Sequence, residues 1–309
     1  MEKIISNTTN LLKNPLLITK ASFNKNYIKN HLFRFYSLLS VLLLGFILLM
    51  ILFFIGKTGI LVFKEVSLAD FFFSLNWEPY EDHYGAGVFI LGTLALTTLT
   101  FLIAVPISLV MAIFSAEIAP IWLRNLVRPI LDLLVGIPSI VYGYLGITIL
   151  VPFIREVTGT SIGEGLLAAA IVLTIMVLPT ITRISDDAIS AVSQDFREAS
   201  YALGSTRLQM IFKVLLPAAK QGIITGVILG MARAIGETMA VVMVIGNTAI
   251  LPANLYSPTS VLTSNIVMEI LNVQYDSTWN YALYMMAFLL LLISLVLIFI
   301  IRKLRVKGV

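Results

Sequence analysis

An all-α polytopic membrane protein with six transmembrane helices is the fold that this sequence predicts, on three observations. The 309-residue chain is 59% hydrophobic and 12% charged, with a mean hydropathy of +0.97, whereas soluble domains carry ~25% charged residues. Apolar runs of about 18 or more residues recur, each long enough as a helix to cross the ~30 Å hydrocarbon layer. The cations lie between and beside these runs, so the net charge of +4 reads as topology and not as a nucleic-acid surface.

Residues 1–34 are mixed polar, with Lys3, Lys13, Lys20, Lys25, Lys29 and Arg34, and no small-residue cleavage site follows a short apolar core, so they read as a retained tail. The spans follow at about Phe35–Ile55, Val88–Phe114, Ile130–Phe153, Leu166–Ile181, Ile223–Ile250 and Tyr281–Ile301. With the amino terminus inside, one side collects that tail, Arg124, Arg128, Arg183, Arg197, Arg207, Lys213, Lys220 and the final Arg302, Lys303, Arg305 and Lys307. The other side holds Lys57, Lys64 and Arg155. The positive-inside rule therefore puts both termini in the cytoplasm of a multi-pass protein of the cell membrane. The domains are a tail over 1–34, a transmembrane domain over 35–301 and a basic tail over 302–309.

The outer connection over 57–87 mixes apolar residues with Lys64, Glu65 and Asp70 and predicts an amphipathic surface helix. Trp77, Tyr80, Trp279 and Tyr281 fall where an outer aromatic belt is expected. Pro106, Pro138, Pro152 and Pro179 lie in or near spans; the carbonyls they free need a packed bundle or a wet cavity. The absence of cysteine excludes disulfides and thiolate chemistry, and His31 and His83 lack ligand spacing. Gly56-Lys57-Thr58 resembles the end of a phosphate-binding loop, but Ile51 replaces its first glycine, so nucleotide must bind another polypeptide.

The inner segment over 195–217 predicts two short helices meeting at Gly204, with Thr206 capping the second and Pro217 closing it. Here Glu198-Ala199, Gly204 and Leu216-Pro217 resemble the EAA loop of the permease subunits of ABC importers, with Ser200 and Val214 as small departures. The resemblance implies an elbow that sits in a groove of an ATP-binding subunit.

The fifth span carries Arg233 and Glu237 in Gly230-Met-Ala-Arg-Ala-Ile-Gly-Glu-Thr238. An ionised group near a helix centre costs roughly 2.5–3.5 kcal/mol, so such residues face a bundle interior or an aqueous cavity. At about 100° per residue, Gly222, Gly226, Gly230, Arg233, Glu237 and Ala240 share one face. The glycines admit a close neighbouring helix. The charges, four apart, either pair as a structural ion pair, or leave Arg233 to meet a passing oxyanion through its planar fork of donors, with Glu237 and Thr238 beside it.

Ala232-Arg-Ala-Ile-Gly-Glu-Thr-Met-Ala-Val241 and Val244-Ile-Gly-Asn247, together with Leu75-Asn-Trp-Glu-Pro79, Ile137-Pro-Ser-Ile-Val-Tyr-Gly143 and Ile175-Met-Val-Leu-Pro179, are similar to the PstC-type permeases of phosphate ABC transporters. That resemblance implies a type I, MetI-like permease bundle that is a transport subunit and not an enzyme. It implies a homologous second permease of PstA type, two PstB-type ATP-binding subunits holding ATP and magnesium, and an extracytoplasmic PstS-type phosphate-binding protein, with no cofactor in this chain. Sulfate, molybdate or phosphonate permeases are the nearest alternatives, and an ion-coupled carrier or channel is the alternative from another class.

Overall fold

The computed structural model describes residues 17–306, with side chains described over 30–303; the rest of the tails, including Lys3 and Lys13, lies outside the described residues. Among these, six helices are long and apolar enough to cross a membrane: Asn30–Lys64, Gly87–Ile118, Ser139–Thr158, Leu166–Ser190, Arg207–Ile235 and Thr278–Lys303. The chain divides into one unit ending at Phe54 and another running from Ile55 onward.

The first unit is helical from Leu17, within the helix Leu17–Gly59. Leu38, Leu39, Val41, Leu43 and Leu44 point to all sides of it and are exposed, the all-round apolar surface of a membrane span. Gly56-Lys57-Thr58 continues this same helix and so makes no phosphate-binding loop.

In the second unit the fourth span is the central helix: 61% of its apolar window is buried, against 44% for the second span and 17% for the sixth. Small hydroxyl residues line its contact with the second span at long hydrogen-bond distances. Thr174 donates to the Thr100 carbonyl at 3.4 Å, Ser108 to the Leu178 carbonyl at 3.3 Å and Thr182 to the Ser108 carbonyl at 3.4 Å. Such bonds replace the hydrophobic driving force that lipid does not provide between helices. The fifth span packs on another side through its glycine ladder. A methyl group at Gly222 would lie 2.3 Å from Ala188 Cβ and one at Gly230 2.5 Å from Ile181 Cγ1, both clashes, while one at Gly226 would crowd the Ile181 carbonyl at 3.3 Å.

Four boundaries differ from the sequence reading. The third span begins at Ser139, not Ile130, and a separate amphipathic helix, Ile121–Gly136, precedes it. Pro138 disfavours helical geometry at Ile137, which is extended at φ −68° and ψ 129°. The fourth span continues past Ile181 to Ser190, because the polar residues that looked like a loop find partners there. The fifth span reaches from the elbow to Ile235 and stops, instead of running over Ile223–Ile250. The second elbow helix does not end before Pro217. A π-turn over Ile211–Leu215, closed by the Leu216 N–H on the Ile211 carbonyl, carries the chain into Leu216–Ile235 with Pro217 in its first turn, where a missing N–H costs little.

The outer connection is not one amphipathic helix. It forms a 3₁₀ turn at Ile60–Lys64, a short helix at Leu68–Phe73 capped by Ser67, and a hairpin pairing Trp77–Glu78 with His83–Tyr84. Phe71, Trp77, Tyr84 and Phe89 are buried in one aromatic cluster with Leu262 and Met286. Trp77 is therefore a core residue of this cap and not an exposed belt anchor, whereas Tyr80 is exposed. Trp77 and Trp279 both donate their indole N–H to Glu269, at 2.9 and 2.7 Å. Burial pushes the Glu269 carboxyl above its usual range, opposed by those indole bonds.

Candidate functional site

The fifth-span helix ends at Ile235, and Gly236-Glu237-Thr238 connects it to a separate helix, Met239–Val244. The helical projection that brought Arg233 and Glu237 together fails at that break. Glu237 instead accepts the Ala240 N–H at 3.2 Å, filling one of the orphan donors at the start of the new helix. Its carbonyl takes the Thr263 hydroxyl at 3.2 Å, and Thr238 donates to the Gly236 carbonyl at 3.3 Å. The Arg233–Glu237 ion pair, one of the two readings the sequence leaves open, is not among the ion pairs of the described residues.

Arg233 is half-buried and reaches Thr180 Oγ1 at 3.4 Å and the Val135 carbonyl at 3.3 Å. Both contacts exceed the usual N–H···O range of ~2.7–3.2 Å, so the guanidinium is loosely held. Val135 lies at the end of Ile121–Gly136, just before the Pro138 break, where carbonyls without helical partners favour a cation. Arg233 thus stands at the junction of three segments, with donors unspent and no carboxylate partner among the described residues.

Nearby charge is locked more tightly. Asp186, fully buried in the fourth span, accepts Arg128 Nε and Nη2 at 2.8 Å each, Ser115 at 2.9 Å and Ser190 at 3.2 Å. Arg183 pairs with Asp132 at 3.1 Å and Asp187 at 2.6 Å. These bonds hold Ile121–Gly136 against the fourth span. In the sequence Arg128 and Arg183 read as topology signals, and Asp186 does not stand out. The spacing of Arg183, Asp186 and Asp187 at i, i+3 and i+4 was the available sign.

The elbow is built from Gln194–Ala202 and Arg207–Met210. Gly204 turns between them at φ +78°, a left-handed geometry that costs other residues ~1–2 kcal/mol. Thr206 and Gln209 form a reciprocal capping box, at 3.3 Å from the Gln209 N–H to Thr206 Oγ1 and 3.0 Å from the Thr206 N–H to Gln209 Oε1. Ser200, the departure from the EAA pattern, is buried and bonds Ser205 across the turn at 2.6 Å. Beneath the elbow, Met210, Ile211 and Leu215 are buried against Ala112, Ala116 and Ile189 of the second and fourth spans. Arg197 donates to Glu117 Oε1 through Nε at 2.9 Å and Nη2 at 2.6 Å. Glu198, Ala199, Gly204 and Pro217 face outward, Leu216 is half-buried, and Phe196, Leu203 and Gly204 line an open groove of about 410 Å³. The elbow is packed below and exposed above in this chain.

Among the described residues no group of His, Asp and Glu is placed to hold a metal. Residues 104–306 match the model of the binding-protein-dependent transport system inner membrane component family. A probable ABC transporter permease protein, YqgH, of Bacillus subtilis is 47% identical, covering 81% of this chain and 82% of that protein. The phosphate transport system permease proteins PstC of Pasteurella multocida and Xylella fastidiosa are 40% and 34% identical, over 63% and 79% of this chain and 67% and 80% of theirs. Among solved structures, the inward-facing MetNI methionine ABC transporter aligns at TM-score 0.54 and 24% identity, over 71% of this chain and 94% of that one. A bacterial ABC transporter that imports alginate aligns at 0.62 and 15% identity, over 91% and 99%; at these identities the likeness is one of fold.

Proposed function

Since the chain belongs to the family of binding-protein-dependent transport system inner membrane components, we propose that it is the permease subunit of an ATP-driven importer of inorganic phosphate. The observation that carries this reading is Arg233: a half-buried guanidinium at a helix break, loosely tethered and unpaired with any described carboxylate, in a chain whose similarity to PstC-type permeases covers most of its length. Guanidinium offers a phosphate its planar fork of donors. Loose tethering keeps the interaction weak enough for release, which a pathway requires.

The elbow supplies the drive. ATP closes a pair of PstB-type subunits that hold the nucleotide and its magnesium, and the helices flanking Gly204 move with them. The bonds from Arg197 to Glu117 and the packing under Met210 convey that movement to the second, fourth and fifth spans. The pathway shared with a PstA-type permease then opens outward to accept phosphate from a PstS-type binding protein, and hydrolysis resets it inward. In this reading both termini lie in the cytoplasm of a multi-pass cell-membrane protein. Glu237 does not moderate Arg233; it shapes the break by capping Met239–Val244.

The test is uptake of labelled phosphate into proteoliposomes holding the complete complex and its binding protein. ATP-dependent uptake that excess sulfate, molybdate or phosphonate leaves intact is the expected result. Uptake of one of those anions in place of phosphate overturns the substrate, and uptake without ATP under a membrane potential overturns the class.

A further inference from the structure

A second basic site lies away from Arg233, under the elbow. The second span ends in a π-turn, Phe114–Ile118, and the chain leaves it extended at Ala119 and Pro120. The last carbonyls of a helix lack intrahelical partners, and here arginines from separate elements supply donors. Arg124 Nε donates to the Ser115 carbonyl at 2.9 Å and its Nη2 to the Ala116 carbonyl, while Arg207 Nη2 donates to the Glu117 carbonyl. Arg197 engages the Glu117 carboxylate and, through Nη1 and Nη2, the carbonyls of Val192, Ser193 and Ile189.

These guanidinium groups differ in what they have left. Arg197 has spent the donors of all three nitrogens and is neutralised by Glu117. Arg124 Nη1 and Arg207 Nε and Nη1 bond nothing among the described residues. Both residues line an open cavity of about 630 Å³, whose wall also includes Gln194 and Tyr201. Among the described residues Glu117 is the only acid on that wall and is already paired, so the cavity faces its contents with two uncompensated positive charges and unspent N–H groups.

We propose that this cavity binds a phosphoryl oxyanion that bridges the inner end of the second span to the elbow. Two guanidinium groups, each held by backbone carbonyls through part of its donor set, leave their remaining N–H groups as a fork for such oxygens. The volume, within the ~300–1,000 Å³ of small-ligand pockets, admits either free inorganic phosphate or the phosphodiester of an anionic lipid headgroup. The free-phosphate source rests on the import reading above; the lipid source does not. With the site filled, Arg207 on the elbow and Arg124 beyond the second span share one ligand, and the elbow is stiffened against the scaffold it must move with.

Replacing either arginine would also release a helix end, so the test uses Gln194→Glu, which puts a carboxylate on the wall and removes no hydrogen bond of the described residues. The complete nucleotide-free transporter is placed in phosphatidylcholine nanodiscs with and without inorganic phosphate, and in phosphatidylglycerol nanodiscs without it. Hydrogen exchange over residues 194–207 is the readout. Phosphate-dependent protection in phosphatidylcholine identifies free phosphate; protection in phosphatidylglycerol alone identifies the headgroup; both support the site. Gln194→Glu is expected to raise the phosphate concentration needed for half-protection about tenfold, as a like charge beside a partly exposed ligand does. No protection in any disc, or protection that Gln194→Glu leaves unchanged, overturns the proposal. Uptake by the same complex is scored separately: normal uptake without protection refutes only this site, and lipid protection without uptake refutes only the import reading.

Discussion

Asp186 offers the sharpest test of how the bundle is held. Its carboxylate is fully buried, accepts two bonds at 2.8 Å from Arg128, and takes the Ser115 and Ser190 hydroxyls as well. Asp186→Asn removes the charge and keeps one acceptor, leaving the Arg128 guanidinium without its counter-ion. Breaking a buried pair by deleting one partner costs ~3–5 kcal/mol. The Arg128 side chain is 27% exposed, so water recovers part of that, and a loss of about 2–3 kcal/mol is expected. The measurement is denaturant-induced unfolding of the assembled transporter in detergent, with Arg128→Met alone, Asp186→Leu alone and the Arg128→Met, Asp186→Leu pair forming a closed cycle beside it. The pair should recover much of the loss, because an apolar replacement of similar volume is often neutral where a half-broken pair is not. Wild-type stability for Asp186→Asn, or additive single effects with no coupling, would refute the claim that this pair fixes Ile121–Gly136 to the fourth span.

Further outcomes follow from other parts of the molecule. Arg233→Gln should lower phosphate uptake about tenfold or more, the scale of a lost charge-assisted hydrogen bond at ~1.5–3 kcal/mol, while the complex still assembles; disappearance of the protein from the membrane would instead mark Arg233 as structural. Gly204→Ala should cost the elbow ~1–2 kcal/mol because φ there is +78°, and reduced co-purification of the ATP-binding subunits would show it; unchanged co-purification and transport would count against the elbow as the docking element. Glu269 sets a pH dependence in the cap that holds Trp77 and Trp279. Its folded pKa is raised by burial above 4.5, so the folded state holds the proton more tightly than the unfolded state does. The cap should therefore gain stability as pH falls from neutral through the folded pKa toward 4.5 and lose it as pH rises again. Hydrogen exchange across Leu262–Glu269 at neutral and mildly acidic pH reads the sign, and Glu269→Gln should flatten the profile.

The legible part of the fold was whatever depends on local composition. Runs such as Val88–Phe114 are apolar over the length a bilayer demands, and lipid allows few other solutions for a backbone that must satisfy its own hydrogen bonds. Thr206, Gly204 and the glycine ladder were likewise readable, since a cap, a left-handed turn and a close helix contact each ask for one residue type at one place. What the sequence by itself determined was therefore the membrane class, the six apolar runs, the elbow and the candidate arginine.

Tertiary structure alone decided where those runs stop and which charges meet. The projection that joined Arg233 to Glu237 assumed an unbroken helix, but Thr263 holds the Glu237 carbonyl from a helix 26 positions away, and that contact supports a break no local propensity demanded. Asp186 looked like part of a loop until Arg128, 58 positions earlier, arrived to pair with it. Trp77 resembled a belt residue until the fold buried it beside Tyr84 and Phe89 and gave its indole the half-buried Glu269, 192 positions away, as acceptor. In each case a polar group took its final conformation from a partner distant in the chain, because burying it unpaired costs more than bending the backbone to reach one.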